Sequence, residues 1–280
     1  MPFISEDKLA QLVDAVVARL QNGETEVPLK NTSRPAPAVV APPYGCDPFK
    51  RDSAGGAHAR VGWSTTSFPA NSPERGEAGR GVFVDLDAAV NAAANAFKKF
   101  QTMGLKGRYT VIAAIRQAAR REVETISRMA IEETGLGRYD QKLIKNNLVI
   151  DKTPGPEILE PIAQTGDDGL MLEEYAPFGV IGAIAPTTNP TETVICNAIG
   201  MLSAGNAVVF AGHPSAKKVS AYTVRFLNDA IVRAGGPDNL ITCTAEPSIE
   251  LAQKLMKHPG VRLLVVTGGP GVVKAAMNSG

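Results

Sequence analysis

The run from Ala185 to Thr193 reads Ala-Pro-Thr-Thr-Asn-Pro-Thr-Glu-Thr and joins an apolar segment to a helix-like one. An amide or hydroxyl held in such a turn can donate a hydrogen bond to an oxyanion that forms on a carbonyl substrate. Asn189 and its neighbouring threonines are therefore candidates for catalysis. The alternative, which the residues alone leave open, is a turn whose polar groups only cap the following helix.

A second turn is rich in glycine. The run from Val265 to Gly271 reads Val-Val-Thr-Gly-Gly-Pro-Gly and leads from an apolar strand into a helix. Glycine lets the backbone approach a ligand closely, and the start of a helix offers free N–H groups at the positive end of its dipole. The pattern suits a pyrophosphate, and the alternative is a tight turn needed only for packing.

A third turn runs from Phe210 to Lys218, and it also follows a strand and opens a helix. Ser215 is a candidate N-cap for that helix. Lys217 and Lys218 are placed to meet a phosphate, although paired lysines on a helix are also typical of a solvated face. This turn indicates a phosphate site only in combination with the other two.

Strands and helices that alternate along the second half of the chain must position these turns. Such alternation predicts an α/β fold, a parallel sheet with helices on both faces, and runs such as Leu-Leu-Val-Val at 263–266 are typical of strands buried on both sides. All three turns then lie at one edge of the sheet, where open α/β folds bind ligands, so we expect a groove for a nucleotide-sized ligand. The predicted strands are 170–175, 179–185, 207–210, 240–243 and 263–266, and the predicted helices are 85–100, 109–133, 139–151, 215–234, 248–257 and one that begins after Gly271.

The sequence divides into three regions that differ in residue composition and hydrophobic periodicity. Residues 1–21 place leucines and valines at helical spacing, which predicts a short amphipathic helix. Residues 22–80 are rich in proline and glycine and lack hydrophobic periodicity. They are predicted to form a disordered linker, the alternative being a loop wrapped over the main domain. Residues 81–280 are the predicted folded domain, which binds a nucleotide or coenzyme.

Composition excludes several classes of protein. Lysine and arginine total 29 and aspartate and glutamate 28, so a net charge of +1 gives no reason to expect nucleic acid or an anionic membrane as partner. No apolar run approaches about 20 residues, and the first residues lack the pattern of a secretory signal. The cysteines, Cys46, Cys196 and Cys243, are far apart and the histidines lack metal-ligand spacing, so we expect reduced thiols and no metal site.

Four stretches together resemble the aldehyde dehydrogenase superfamily. More closely, they resemble its coenzyme-A-acylating propionaldehyde and acetaldehyde dehydrogenases of bacterial microcompartments. The Thr-Asn-Pro-Thr-Glu-Thr and His-Pro-x-Ala-Lys-Lys runs separate that branch from the hydrolytic members. The resemblance covers about 85–280, and the stretches that carry it are 175–193, 204–210, 213–218 and 267–271.

This resemblance implies an aldehyde dehydrogenase-like, Rossmann-type sheet and a two-step oxidoreductase reaction. A cysteine thiolate attacks a short-chain aldehyde, a hydride passes to NAD, and coenzyme A takes the acyl group from the enzyme. It also implies that NAD and coenzyme A bind at overlapping sites in the Rossmann-type domain. On that basis the candidate cofactor-binding residues are Pro186, Thr187, His213, Thr267, Gly268, Gly269 and Gly271.

Two departures from the family pattern bear on catalysis. Hydrolytic relatives have the turn Pro-Trp-Asn-Phe-Pro with the oxyanion asparagine third, whereas here the asparagine is fourth and a gap-free overlay puts Thr188 at that position. Both Thr188 and Asn189 therefore remain oxyanion candidates. In the family the nucleophilic cysteine follows a nearly complete sheet, beyond residue 280, and none of the cysteines present matches it. We therefore expect a truncated polypeptide that cannot turn over aldehyde on its own.

The resemblance also extends to partners and location. Microcompartment members carry an amphipathic helix before the dehydrogenase body, and residues 1–21 resemble an encapsulation peptide that docks on shell proteins. The alternative is a helix packed on its own domain. A cytoplasmic enzyme of the microcompartment lumen is implied. When complete, it would form a homo-oligomer through the strand at 170–175 and a carboxyl-terminal tail.

Two other functions stay open. One is a semialdehyde dehydrogenase of the same superfamily that uses phosphate instead of coenzyme A, against which the Thr-Asn-Pro-Thr-Glu-Thr run and the amino-terminal helix argue. The other is a non-catalytic nucleotide-binding or cargo module, which the missing cysteine favours for this polypeptide. The choice between NAD and NADP and the chain length of the aldehyde are left open.

Overall fold

A five-stranded parallel sheet lies at the centre of the computed structural model, which describes residues 80–280. The predicted helix at 1–21 and all but the last residue of the predicted linker at 22–80 lie outside the described residues. The strands are β1 (Val82–Phe83), β2 (Ile162–Gly166), β3 (Gly169–Glu173), β4 (Val180–Ile184), β5 (Ala207–Ala211), β6 (Ile241–Thr244) and β7 (Leu263–Val266). The order of strands in the parallel sheet is β1-β6-β5-β4-β7, and β2 and β3 form a separate antiparallel hairpin.

Helices cover both faces of the sheet. They are α1 (Leu86–Gln101), α2 (Leu105–Thr134), α3 (Tyr139–Lys152), α4 (Pro190–Ser203), α5 (Lys217–Arg233), α6 (Ile249–Met256) and α7 (Pro270–Met277), with 3-10 turns at Pro156–Leu159 and Pro214–Ala216. The chain moves from β4 to β5 to β6 in one direction and then jumps back to β7. Because crossovers between parallel strands are right-handed, α4 and α5 lie on one face and α6 lies on the other. This topology confirms the predicted fold class.

Local sequence explains where the longer helices begin and end. Asp85 caps α1, since its carboxylate accepts a hydrogen bond of 2.8 Å from the Ala88 N–H. Gly135 ends α2 in the left-handed conformation, at φ 67°. That helix begins at Leu105, earlier than predicted, and its apolar stripe packs on α5, α3 and α4.

The core is apolar and continuous between the sheet and its helices. Phe100, Phe210, Ile195 and Leu227 are among the fully buried side chains. Burying one such side chain contributes about 1.5–3 kcal/mol, so the sheet's central strands are held firmly. These strands end at the site described below.

One strand was not predicted, and one predicted helix cap is wrong. The strand predicted at 170–175 is β3, and its partner β2 was not predicted, because both strands of this hairpin are exposed and lack a clear alternation of polar and apolar residues. Ser215 does not cap α5; the first N–H groups of that helix, on Lys218 and Val219, donate to the Glu133 carboxylate at 2.7 Å each. A cap from another helix cannot be read from local sequence.

The run Leu263–Val266, predicted to be buried on both sides, lies in the edge strand β7. Each of its four residues is partly exposed, because within residues 80–280 only β4 pairs with this strand. Strand pairing therefore leaves the glycine-rich turn that follows β7 at the border of the sheet.

Within residues 80–280, none of the helices combines the length and the apolar character that crossing a bilayer requires. The same residues contain no group of three or more histidine, cysteine or acidic side chains arranged to hold a metal ion.

Candidate functional site

A cleft of about 810 Å³ opens where β4, β5 and β7 end, at the carboxyl edge of the sheet. Its volume lies within the range of about 300–1,000 Å³ that is typical of small-molecule sites. The three turns predicted from sequence, at 184–189, 211–214 and 267–271, all line it. The structure thus brings every predicted site residue to one cleft: Pro186, Thr187, Thr188, Asn189, His213, Thr267, Gly268, Gly269 and Gly271.

Backbone hydrogen bonds hold these three turns side by side. The Ala185 N–H donates to the Ala211 carbonyl at 2.9 Å, and the Thr267 N–H donates to the Ile184 carbonyl at 3.1 Å. Both bonds continue the ladders that join β4 to β5 and to β7. The register of the sheet, rather than any loop contact, therefore sets the distance between the turns.

The asparagine turn does not use its side chain to cap the helix that follows. Asn189 occupies the N-cap position of α4, with Pro190 next, but its side chain makes no capping hydrogen bond. Instead, the Asn189 Oδ1 accepts a hydrogen bond of 3.0 Å from the Nζ of Lys145 on α3. The capping interpretation of this turn is therefore wrong for Asn189.

A buried ion pair lies beneath the same turn. Lys142 of α3 has a side chain that is only 2% exposed, and its Nζ donates to the Thr188 carbonyl at 2.5 Å and to the Glu192 Oε1 at 3.2 Å. Glu192 is also buried, at 6% side-chain exposure. Removing one partner of such a pair leaves an uncompensated charge in the interior, which is strongly destabilising. The pair therefore fixes the turn to α3.

Neutral polar groups complete this network. The Thr191 hydroxyl lies 2.9 Å from the Asn146 Oδ1 and 3.0 Å from the Glu192 Oε2. The Asn146 amide donates to the Ser127 hydroxyl at 3.1 Å. All of these side chains are buried, so their hydrogen bonds replace those that water would make.

The histidine turn presents a defined donor. The Ser215 N–H donates to the His213 Nδ1 at 3.1 Å, so Nδ1 acts as an acceptor and the proton of the neutral ring is on Nε2. His213 is exposed on the wall of the cleft. Lys217, by contrast, forms an ion pair with Glu246, and neither Lys217 nor Lys218 lines the cleft. The cleft therefore includes the histidine turn but not these two lysines.

The glycines of the third turn differ in how much space surrounds them. A Cβ on Gly268 would lie 2.4 Å from the Val272 Cγ1, so an alanine there would force the Val272 side chain to move. A Cβ on Gly269 or Gly271 would meet nothing within 4 Å, so packing does not exclude a larger residue at either position. Pro270 occupies the first position of α7, and the N–H groups that follow in the first turn of a helix have no partner within it. The open space beside Gly269 and these N–H groups suit a phosphate.

The electrostatics of the cleft permit an anionic ligand. Among the described residues that line it, His213 is the single ionisable side chain, and none is acidic. The rest of the wall is largely apolar and comes from α6 and α7, through Ile249, Ala252, Met256, Val272 and Ala275. The cleft therefore combines a polar end at the three turns with an apolar slot.

The aldehyde dehydrogenase family model matches residues 65–279, which is more than half of the chain. This chain belongs to the aldehyde dehydrogenase family. A CoA-propanoylating propanal dehydrogenase of Salmonella typhimurium is 43% identical over 212 residues, which cover 76% of this chain and 46% of the relative. Within the family, the chain falls among the CoA-acylating propionaldehyde and acetaldehyde dehydrogenases, which confirms the resemblance seen in its motifs.

Solved structures give the same assignment. A Rhodopseudomonas palustris propionaldehyde dehydrogenase with bound CoA and an acylated cysteine is 51% identical, with a TM-score of 0.70 over 71% of this chain and 46% of that one. A propionaldehyde dehydrogenase from the Clostridium phytofermentans fucose utilisation bacterial microcompartment is 46% identical, with a TM-score of 0.70 over 72% of this chain and 46% of that one. The chain spans about half the length of the relatives it matches.

The cysteines of this aldehyde dehydrogenase chain that the structure describes do not line the cleft. Cys243 is buried in β6, and burial raises the pKa of its thiol to about 12, although the nearby Arg225 acts in the opposite direction. A thiol with such a pKa is protonated at neutral pH and is not a nucleophile. Cys196 in α4 is half-buried, so the burial expected for it is only partial. Cys46 lies outside the described residues.

Sequence reasoning missed Lys142, Lys145 and the role of Glu192. The two lysines lie in α3, more than forty positions before the turn that they contact. Their spacing of three places them on one side of the helix, which is a weak signal because lysines at helical spacing are usually a solvated face. Nothing in the local sequence shows that one of the two is buried.

Proposed function

We propose that this chain forms the coenzyme-binding part of an enzyme that converts a short-chain aldehyde to acyl-CoA with NAD and coenzyme A. The observation that carries the proposal is the convergence of the asparagine, histidine and glycine turns on one cleft that contains N–H donors and no acidic side chain among the described residues. A pyrophosphate, which both coenzymes contain, needs such donors and is repelled by carboxylates. Bound NAD accepts a hydride, and bound coenzyme A accepts an acyl group.

The residues present fit a nucleotide. The backbone at Gly269 and Gly271 leaves space for phosphate oxygens, and the start of α7 offers N–H groups and a positive dipole end. The His213 Nε2 supplies a further donor at the rim. The apolar slot between α6 and α7 is suited to a flat adenine ring, which gains from leaving water.

We assign the oxyanion role to the turn that contains Thr188 and Asn189. An oxyanion needs a donor that is already oriented before the reaction. The Asn189 amide is held by Lys145, and the Thr188 carbonyl is held by Lys142. With these two acceptors held on the α3 side, the N–H donors of this turn are the groups of this chain that would orient and polarise an aldehyde carbonyl.

Binding to the purified chain tests the proposal directly. Isothermal titration with NAD and with coenzyme A should each give saturable binding, and each should compete with the other because they share the cleft. Gly269→Ala should weaken both, since its methyl group occupies space next to the α7 start. Gly104→Ala is the matched control: Gly104 is also a helix N-cap with extended backbone and open space at its Cβ, but it lies away from the cleft. Equal effects of the two substitutions, or no binding to the wild type, would refute the proposal.

A non-catalytic nucleotide-binding module is the second candidate function. The observation that favours it for this polypeptide is the lack of a cysteine on the cleft wall among the described residues. Assaying the purified chain for acyl-CoA formation from propionaldehyde, NAD and coenzyme A separates the two. We expect binding without turnover; measurable acyl-CoA would show that a nucleophile is present in the chain.

We also propose that residues 1–21 dock on microcompartment shell proteins, which would place the enzyme in the microcompartment lumen. The support is the helical spacing of apolar residues in that segment and the similarity to a propionaldehyde dehydrogenase from a bacterial microcompartment. Deleting residues 1–21 should abolish co-purification with shell proteins. Unchanged co-purification would remove this part of the proposal.

A further inference from the structure

The asparagine turn has two hydrogen-bond acceptors that face α3, and a lysine of α3 contacts each of them. The Lys145 Nζ donates to the Asn189 Oδ1 at 3.0 Å, and the Lys142 Nζ donates to the Thr188 carbonyl at 2.5 Å. The two lysines differ in environment, since Lys142 is buried against Glu192 and Lys145 is exposed.

The contact with Lys145 fixes which end of the Asn189 amide is free. An ammonium group has three donors and no acceptor, so only the amide oxygen can face it. This argument is independent of how the oxygen and nitrogen of an amide are assigned. The Nδ2 group, with its two hydrogens, is then the end turned away from Lys145.

The contact with Lys142 acts on the backbone in a similar way. In a trans peptide the carbonyl and the following N–H point in opposite directions. Because the Thr188 carbonyl points at the buried Lys142, the Asn189 N–H points away from it. The ion pair with Glu192, itself supported by the Thr191 hydroxyl, keeps Lys142 in place.

We propose that Lys142 and Lys145 are positioning residues that hold the acceptors of the turn on the α3 side, so that the backbone N–H and side-chain Nδ2 of Asn189 are presented together as a pair of donors. Asn189 lines the cleft, so the pair forms one ready-made anchor for the oxygen of a carbonyl substrate. The inference deepens the proposed function and rests on it for the identity of that oxygen. It also selects Asn189 over the Thr188 side chain as the donor.

Nuclear magnetic resonance of the purified chain tests this orientation. The Asn189 side-chain resonances are assigned by their loss in Asn189→Asp and compared in the wild type, Lys145→Met and Lys145→Arg. Lys145→Met should shift the side-chain Nδ2 pair towards the position of freely rotating surface amides, and Lys145→Arg should retain the wild-type position because it keeps a donor. Lys152→Met, on the same helix and remote from the turn, is the matched control and should leave the pair unmoved.

The backbone half of the proposal needs a variant that still folds. Lys142→Met combined with Glu192→Gln removes both buried charges together and should shift the Asn189 backbone amide while the sheet amides stay in place. If the Asn189 Nδ2 resonances do not shift in Lys145→Met, or shift by the same amount in Lys152→Met, Lys145 is not a positioning residue. If the Asn189 backbone amide resonance does not shift in the double variant, Lys142 is not a positioning residue. These outcomes are independent of coenzyme titration, so failure of the proposed function and failure of this inference are distinguished.

Discussion

The two walls of the cleft are built in different ways. The asparagine wall, at 186–189, is joined by side chains to α3 and rests on a buried ion pair. The glycine wall, at 267–271, follows an edge strand that is partly exposed, and no residue of α7 is buried. Side-chain anchoring suits the wall that must present donors in a fixed direction. Backbone pairing is enough for the wall that must only leave room for a phosphate.

The largest effect is expected from breaking the anchor of the asparagine wall. Lys142→Met should lower the free energy of unfolding by about 3–5 kcal/mol, because it leaves the Glu192 carboxylate buried without its partner. Lys142→Met with Glu192→Gln should recover most of that loss. Urea unfolding of the three proteins measures it. A single substitution as stable as the wild type would show that the wall does not depend on this pair.

The next effect concerns packing within the glycine wall. Gly268→Ala should destabilise the fold by about 1–3 kcal/mol, since its methyl group would overlap the Val272 side chain. Gly269→Ala should stay within about 0.5 kcal/mol of the wild type, because nothing lies near its Cβ. Thermal unfolding of both variants gives the comparison, and a reversed order would contradict the assignment of packing to Gly268 and ligand space to Gly269.

Hydrogen exchange should separate the walls without any substitution. Amides of the central strands, such as those of Val208 and Val209, are fully buried and should open only with the whole fold. Amides of β7 and α7 should exchange at an opening free energy lower by about 2 kcal/mol or more, because β7 is partly exposed and no residue of α7 is fully buried. Equal protection in both sets would mean that the glycine wall is anchored as firmly as the sheet centre.

The smallest effect is expected at Cys243, in the strand β6, which lies between β1 and β5. Burial raises the pKa of its thiol from an ordinary 9.0 to about 12, so iodoacetamide at pH 8 should not modify it in the folded chain, whereas the half-buried Cys196 should react. The folded state binds the proton more tightly than the unfolded state. Its contribution to stability is therefore complete below pH about 9 and is lost as pH rises towards about 12. Peptide mapping after alkylation measures both sites, and fast modification of Cys243 would indicate an open sheet.

The sequence predicted the sheet and its edge better than it predicted what supports them. Apolar runs and helical spacing are local signals, so β4, β5 and α6 were predicted to within one residue at each end, and the three turns were correctly placed at one edge. The anchoring of Asn189 by Lys145 and the capping of α5 by Glu133 join positions far apart in the chain. No spacing rule reaches such pairs, because their geometry follows from tertiary packing. The exposure of β7 escaped prediction for the same reason, since an apolar run does not reveal whether one or two neighbours cover it.

In the proposed function, both walls of the cleft bind the same coenzyme molecule. Backbone amide shifts of the purified chain, recorded while coenzyme A is added, test it most directly. We expect saturable shifts at 187–189 on the asparagine wall, at His213, and at 268–272 on the glycine wall, with one shared dissociation constant. Shifts confined to a different surface of residues 80–280, or two walls that respond with different constants, would contradict it.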